Sequence, residues 1–162
     1  MSYDLYSFPT PAGQDVDAAF EALMEAEEAE ERLPWSADQA VRAESLAASL
    51  CKLNPRFERF AFDYAEIARL QGVTEAGARA QWRHIELNSP EGDNPIQITI
   101  QADYASLGVP YWYTGDRARE TISEALGYLA VFEREANWIS FDPQLERLLA
   151  IPGDLDGGDL DV

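Results

Sequence analysis

The chain has 162 residues and a net charge of −18, so it is long enough for one folded domain and too acidic to approach nucleic acid or an anionic membrane without repulsion. Its apolar fraction of 46% excludes a disordered protein, and no apolar run reaches the roughly 20 residues that a membrane span needs. Its single cysteine, Cys51, excludes an internal disulfide, and its N-terminal sequence lacks the basic and apolar regions of a signal peptide, so we expect a cytoplasmic protein.

The acidic charge is concentrated at the two ends of the chain. Residues 1–31 hold 9 acidic residues and no basic ones, and residues 152–162 hold 4 acidic residues and no basic ones. The two ends therefore supply 13 of the 18 net negative charges. A partner with a basic surface is the natural complement of such a chain, although the same charge would also keep a protein soluble.

The first predicted elements are a strand and a helix. The strand YDLYSF at 3–8 is rich in β-prone residues and is stopped by Pro9 and Pro11. Residues 15–32 have the spacing of an amphipathic helix, with Asp15 as the predicted N-cap. The apolar face of this helix consists of Val16, Phe20, Leu23 and Met24.

Another face of the same helix is acidic. Carboxylates recur there at spacings of four, four and three residues, which places like charges side by side and weakens the helix slightly. This face consists of Asp17, Glu21, Glu25 and Glu28. Because the repulsion serves no structural purpose that the sequence reveals, we expect this helix to contact a basic partner. The predicted contact residues are Glu21, Glu25, Glu28 and Glu31.

The second helix has a recognisable start and end. Ser36 and Gln39 complete a capping-box pattern, and the Asn54-Pro55 pair ends the helix. Cys51 lies on its apolar side and is interpreted as a small core residue. The predicted buried stripe consists of Leu46, Ala47, Leu50 and Leu53.

Two short helices and most of the sheet are predicted next. The helices cover 63–71, ended by Gly72, and 74–81, capped by Thr74. The strands cover 83–89, 96–103 and, bent near its end, 104–113. The second of these strands alternates strictly, with three isoleucines on one face and polar residues on the other, which is typical of an antiparallel sheet with one buried face. The isoleucines are Ile96, Ile98 and Ile100.

The last predicted elements are a long helix over 115–136, a strand over 137–142 and a short helix or turn over 143–151. The core face of the long helix is predicted to hold Ile122, Leu126, Leu129 and Phe132 or Ala130. Together the elements predict a single α+β domain over 1–151, in which a mainly antiparallel sheet of about four to five strands packs with helices. Residues 152–162 are predicted to be a flexible acidic tail.

No residue pattern identifies catalytic chemistry. The only histidine, His84, has no recognisable nucleophile or orienting partner, so we expect it to have a structural or surface role. One histidine and one cysteine are too few for a zinc site, and DLDGGDLD at 154–161 does not have the register of a calcium loop. Glycine motifs for phosphate binding are missing from the sequence. We therefore expect a protein that is not an enzyme and has no catalytic residue, no metal and no cofactor.

Three consecutive aromatic residues, Tyr111, Trp112 and Tyr113, precede the long helix. Because neighbouring residues on a strand point to opposite faces, the three rings cannot all enter one core. Tyr and Trp are favoured anchors at protein interfaces, so we expect this segment to contact a partner together with Asp116. The alternative is that the following helix and loops cover all three rings.

Several segments together resemble small acidic immunity proteins of bacterial polymorphic-toxin and type VI secretion systems. They are MSYDLYSF at 1–8, HIELNSPEGDNPIQITIQAD at 84–103, VPYWY at 109–113 and WISFDPQ at 138–144. The resemblance implies a compact α+β domain that binds a cognate toxin and blocks its active site, without catalysis or a cofactor. It supplies no contact residues, because the toxin-facing surface varies greatly within such families.

The sequence thus favours an immunity protein that neutralises a toxin. This toxin would act in the cytosol and have a basic surface. Its acidic helix would attract the toxin and speed their association. A regulatory protein-binding module without a toxin partner is the first alternative. A hydrolase that uses scattered carboxylates is the second.

Overall fold

The computed structural model describes residues 2–10, 12–28 and 34–151. The helices are α1 (Val16–Glu28), α2 (Ala37–Leu53), α3 (Tyr64–Gln71), α4 (Glu75–Gln81) and α5 (Gly115–Ala136). The strands are β1 (Ser2–Phe8), β2 (Glu58–Arg59), β3 (Ile85–Asn88), β4 (Gln97–Ile100), β5 (Ala105–Pro110), β6 (Ile139–Asp142) and β7 (Arg147–Leu148). The segment 152–162, predicted to be a flexible tail, lies outside the described residues.

All of these strands form one sheet in the order β2-β3-β4-β5-β1-β6-β7. The interior strand β1 pairs with β5, where Leu5 lies opposite Leu107, and with β6, where Ser7 lies opposite Ser140. Every neighbouring pair is antiparallel. An antiparallel sheet packed with helices is an α+β domain, so the predicted fold class is confirmed.

Across the described residues the sheet has seven strands, more than the four to five predicted. The five predicted strands correspond to β1, β3, β4, β5 and β6. The two additional strands are the edge strands β2 and β7, each of two exposed residues. Such short strands show no alternation of apolar and polar residues that could predict them. In the segment 143–151, predicted as a short helix or turn, the turn is present at 143–146, and β7, which was not predicted, follows it.

Helices cover the two faces of the sheet unequally. The main core lies between the sheet and the helices α2 and α5, and Leu5 of β1 points into it. Side chains that alternate with Leu5 along β1, such as Phe8, point to the opposite face and pack beneath α1. This smaller α1 core consists of Phe8, Ala19, Tyr104 and Phe141, with Val16, Phe20 and Leu23 packed against it. The helices α1 and α5 therefore lie on opposite faces of the sheet.

The local signals predicted at the ends of α2, α3 and α4 are confirmed. In α2 the hydroxyl of Ser36 accepts a hydrogen bond from the Gln39 amide at 3.1 Å, while the Gln39 side chain accepts one from the Ser36 amide at 2.8 Å. Gly72 ends α3 in the left-handed conformation with φ of 67°, and Thr74 caps α4. Each of these signals acts within four residues, so the tertiary fold is not needed to recognise it.

Two predicted core positions are wrong. Leu53 and Ile122 were expected to be buried, yet their side chains are 56% and 45% exposed. Leu129 and Phe132 of α5 are buried as predicted, but nearer the start of the helix Thr121 and Ala125 face the core and Ile122 faces out. Leu53 belongs to the last turn of α2, where it borders a groove instead of the sheet.

The described helices include none with both the length and the apolar character that a membrane span requires.

Candidate binding site

An exposed pair of aromatic rings follows the end of β5. After Pro110 the chain bends out of the sheet, and Tyr111 and Trp112 are 56% and 57% exposed. Their ring centroids are 5.5 Å apart at an interplanar angle of 84°, so the two rings support each other edge to face. We call this pair the aromatic ridge. The prediction that at least one of the three consecutive aromatic rings lies at the surface is confirmed.

The third ring, Tyr113, connects the ridge to α5. It is half-buried, lies 5.8 Å from the Trp112 ring, and has the Arg117 guanidinium 4.0 Å above its centroid. Gly115 turns the chain into α5 with a φ of 63°, a conformation that glycine adopts without strain. The cation–π contact fixes the first turn of α5 against the ridge, so the two form one continuous surface.

Asp116 lies in the first turn of α5 and is almost fully exposed. Its carboxylate pairs with Arg119 at 2.8 Å, and both side chains are open to water. A pair this exposed contributes about 0–1 kcal/mol to stability and leaves both groups accessible. Asp116 therefore lies close to the ridge in sequence, at the positive end of the α5 dipole.

Beyond Arg117, the surface continues into a groove of about 980 Å³ that opens to solvent. The end of α2 and the β3–β4 loop form one side, and α5 forms the other. We call it the α5 groove. It is lined by Leu53, Asn54, Gly92, Asp93, Asn94, Arg117, Glu120, Glu124, Gly127 and Tyr128.

A hydrogen-bond network fixes one carboxylate of this groove. The Tyr128 hydroxyl donates to Glu124 Oε1 at 2.6 Å, and the Asn94 side-chain amide donates to Glu124 Oε2 at 2.9 Å. The Asn54 side chain in turn donates to the Tyr128 hydroxyl at 2.9 Å. Glu124 is thus held by residues from the long helix and the β3–β4 loop, and its orientation is set before any ligand arrives.

The protonation state of the Tyr128 hydroxyl follows from its surroundings. Its ring is 3% exposed and packs against Phe57 at 4.9 Å between centroids. Burial first, and then the hydrogen bond to Glu124, raise the pKa of Tyr128 above its ordinary value of 10.0. Tyr128 is therefore a neutral hydrogen-bond donor at physiological pH, and it donates to the carboxyl group of Glu124. This arrangement suits the binding of a cationic or hydrogen-bond-donating group.

The groove contains three carboxylates, those of Asp93, Glu120 and Glu124, and one guanidinium, that of Arg117. Asp93 is paired at 2.8 Å with Arg56, which lies beside the groove. Glu120 and Glu124 are one turn apart on α5, so both carboxylates belong to one face of the helix. The lining is therefore polar with an excess of negative charge.

Gly127 opens the groove next to the helix backbone. Apart from Gly127 itself, its two chain neighbours and the backbone of its own helix, no atom lies within 4 Å of the position that a side-chain Cβ would occupy there, so packing does not require glycine. Glycine inside a helix costs about 0.5–1 kcal/mol relative to alanine. Its effect on the groove is to expose the α5 backbone to close approach by a ligand.

The acidic face of α1 is separate from this surface. Glu21, Glu25 and Glu28 are exposed, as the sequence predicts, while the apolar residues of α1 pack on the α1 core. Because α1 and α5 lie on opposite faces of the sheet, the structure does not bring these glutamates together with the aromatic ridge. Glu31, the fourth predicted acidic contact, lies outside the described residues.

His84 is half-buried in an aromatic cluster. Its ring lies 4.8 Å from Phe62 and 5.8 Å from Trp82, measured between centroids. The structural or surface role of His84 stays a prediction. Cys51 is half-buried against the main core. In the described part of the chain, no group of three or more His, Cys, Asp or Glu side chains is placed to hold a metal ion.

Sequence analysis missed the groove residues. Glu124 and Tyr128 are four apart on a predicted helix, so their contact could have been inferred from helical spacing. No local signal places Asn54 or Asn94 next to them, because these residues come from segments 74 and 30 positions away from their partners. Comparison with protein families, curated proteins and solved structures finds no match to this chain.

Proposed function

We propose that this chain is an immunity protein that binds a cognate bacterial toxin acting in the cytoplasm and neutralises it by covering its active site. The toxin would present a basic surface, because the net charge of −18 favours such a partner and disfavours an acidic one. The proposal agrees with the resemblance of its segments to acidic immunity proteins of polymorphic-toxin and type VI secretion systems.

The observation that carries the proposal is the exposed aromatic ridge beside a polar groove. Tyr111 and Trp112 each leave more than half of their side chains in water, although burial of such rings is strongly favourable. Exposed Tyr and Trp side chains are the residue types that most often dominate the binding energy of protein interfaces. Next to them, Glu124 offers a preoriented carboxylate for a basic group.

The aromatic ridge and the α5 groove would have different roles in binding the toxin. The ridge would fill an apolar recess on the toxin and determine how long the complex lasts. The groove would receive a basic segment of the toxin, which reaches the α5 backbone at Gly127. A toxin that acts on nucleic acid or nucleotides has a basic active site, so occupation of that site by this acidic surface would exclude its substrate.

Affinity capture from the native cell tests the proposal. Purified chain is immobilised, captured proteins are identified by mass spectrometry, and each is expressed alone and together with the chain. We expect one captured protein that stops growth when it is expressed alone and is harmless when the chain is present. Chain with both Tyr111→Ala and Trp112→Ala should neither capture it nor protect.

Phe60→Ala is the matched control, because Phe60 is an aromatic residue of similar exposure elsewhere on the surface. It should capture and protect like the unmodified chain. Capture of a non-toxic protein through the ridge would replace the proposal with a regulatory binding module. Full protection by the Tyr111→Ala, Trp112→Ala chain would show that the ridge does not bind the toxin.

A further inference from the structure

The two short helices α3 and α4 form a hairpin that stands outside both cores. Among the described residues, neither helix contributes a side chain to the main core or to the α1 core. α3 has eight residues and α4 has seven, and each buries one alanine, Ala68 or Ala78. Isolated helices shorter than about 12–15 residues are marginal in water, so this hairpin depends on packing for its stability.

Little of the described part of the chain supplies that packing. The cluster of Phe62, Trp82 and His84 ties the base of the hairpin to β3, with ring centroids 4.8–5.9 Å apart. Phe60 packs on Phe62 at this base, and beyond it two large apolar side chains, Leu70 and Val73, are exposed. Leu70 is 69% exposed near the end of α3, so the outer part of the hairpin presents apolar surface to water.

The charge of this region differs from that of the remaining chain. Residues 55–84 contain five arginines and four acidic residues, a net charge of +1, so the other residues together carry −19. On the hairpin itself the charges are paired locally, Arg69 with Glu66 at 2.5 Å and Arg79 with Glu75 at 2.8 Å. The hairpin is therefore a nearly neutral apolar surface on a strongly acidic protein.

We propose that a second copy of this chain covers the α3–α4 hairpin in a symmetric dimer. A basic partner is drawn to the acidic remainder of the molecule, whereas a second copy with a charge of −18 is repelled by that remainder. The neutral hairpin is where two copies can approach with the least repulsion. A two-fold arrangement joins hairpin to hairpin and buries Leu70 and Val73 of both copies.

The dimer would leave the proposed toxin surface free. None of the residues that line the α5 groove belongs to the α3–α4 hairpin, and the aromatic ridge is part of a different connection. One dimer would therefore offer two ridges and two grooves. Because the measurement below uses the chain alone, its outcome is independent of toxin binding.

Sedimentation velocity of the purified chain, from about 1 µM to about 1 mM, tests the dimer. We expect the mass to rise from 18.1 kDa toward twice that value as concentration increases. Salt gives a second criterion, because screening weakens the repulsion between two acidic copies. The dissociation constant should fall when salt is raised from about 0.05 M to about 0.5 M.

Leu70→Glu should raise the dimer dissociation constant by about 30-fold or more, since it adds charge to the centre of the contact. Val41→Glu is the matched control, because Val41 is also 69% exposed but lies on α2, and it should leave the constant within about twofold of the original. Leu70→Ser, which adds no charge, should weaken association in the same direction. A mass of 18.1 kDa at every concentration and both salt levels, or equal effects of Leu70→Glu and Val41→Glu, would overturn the proposal.

Discussion

The acidic face of α1 and the surface formed by the aromatic ridge and the α5 groove are both suited to a basic partner, but they are built differently. The α1 face consists of exposed glutamates on a helix surface, where a single ion pair is worth about 0–1 kcal/mol and salt screens beyond roughly 8 Å. The ridge offers two large rings, and the groove offers a carboxylate held by two hydrogen bonds.

Because of this difference, we expect the two surfaces to affect different rate constants of toxin binding. Long-range charge raises the rate of encounter, whereas desolvated aromatic anchors and preorganised polar groups determine the rate of dissociation. The α1 face should therefore affect mainly association, and the ridge with the groove mainly dissociation. Their positions on opposite faces of the sheet allow the two contributions to be changed independently.

The largest effect is expected at the ridge. Trp112→Ala should raise the dissociation rate of the toxin complex about 30- to 1,000-fold, because truncation of an interface Trp removes about 2–4 kcal/mol. Association should change less than about threefold. Surface-immobilised binding kinetics with the captured toxin measure both rates.

Phe60→Ala serves as the control for the loss of an exposed aromatic side chain, and it should leave both rates near those of the unmodified chain. If Trp112→Ala slows association and leaves dissociation unchanged, the assigned roles of the two surfaces are reversed.

A smaller effect is expected from filling the groove. Gly127→Leu should weaken toxin binding by about tenfold or more, because the added side chain projects where a ligand would approach the α5 backbone. Since space around Gly127 is open, the same change should not lower the free energy of unfolding. Gly127→Ala, a better helix former, should raise that free energy by about 0.5–1 kcal/mol.

Calorimetric titration gives the affinity of each variant, and chemical denaturation gives its stability. Toxin affinity that is unaltered in Gly127→Leu would remove the groove from the proposed interface and leave the ridge alone.

The effect of the α1 face should depend on salt. Replacement of Glu21, Glu25 and Glu28 by glutamine should slow association about tenfold at low salt, with a smaller difference as salt increases. Dissociation should not change. The fold should persist and gain slightly in stability, because like charges at helical spacing repel one another. Association kinetics at several salt concentrations measure the effect, and an unchanged association rate at low salt would leave these glutamates with only a solvating role.

The two surfaces also differ in how far the sequence predicts them. The exposed face of α1 follows from the spacing of Phe20 and the glutamates within one helix, and the exposed ridge follows from three consecutive rings that cannot share one core. Both signals are local. The strict alternation around Ile98 and the capping box at Ser36 are local as well, and the structure confirms them.

The groove could not be predicted, because it depends on long-range contacts. Asn54 and Asn94 contact residues of α5 because the fold places the end of α2 and the β3–β4 loop beside that helix. The inward face of α5 is set by the same packing, which selected Thr121 in place of Ile122. Edge strands such as β7 likewise depend on a neighbouring strand, since two residues have no pattern of their own.

The smallest effect should come from the hydrogen bond that orients Glu124. Tyr128→Phe removes a buried hydroxyl and should lower the free energy of unfolding by about 1 kcal/mol. It should also weaken toxin binding by about three- to fivefold, because Glu124 loses one of its two fixed donors. Tyr3→Phe is a matched control. Tyr3 donates a hydrogen bond of 2.5 Å to Asp142, and neither residue lines the α5 groove, so its loss should reduce stability while Glu124 keeps its orientation and toxin affinity stays the same.

The pH dependence of stability tests whether the Tyr3 hydroxyl holds Asp142 as inferred. Burial first, and then the hydrogen bond to Asp142, raise the pKa of Tyr3 from 10.0 to about 12. Because the folded pKa is the higher one, the contribution of the protonated hydroxyl is complete below about pH 10 and is lost as pH rises toward about 12. The Tyr3→Phe chain lacks this titration, so its free energy of unfolding should fall less steeply over that range. Denaturation at pH 8, 10 and 11, roughly spanning that range, gives the slopes. Equal slopes for Tyr3→Phe and the unmodified chain, or equal toxin affinity for Tyr128→Phe and Tyr3→Phe, would show that these hydroxyls do not hold their carboxylates as inferred.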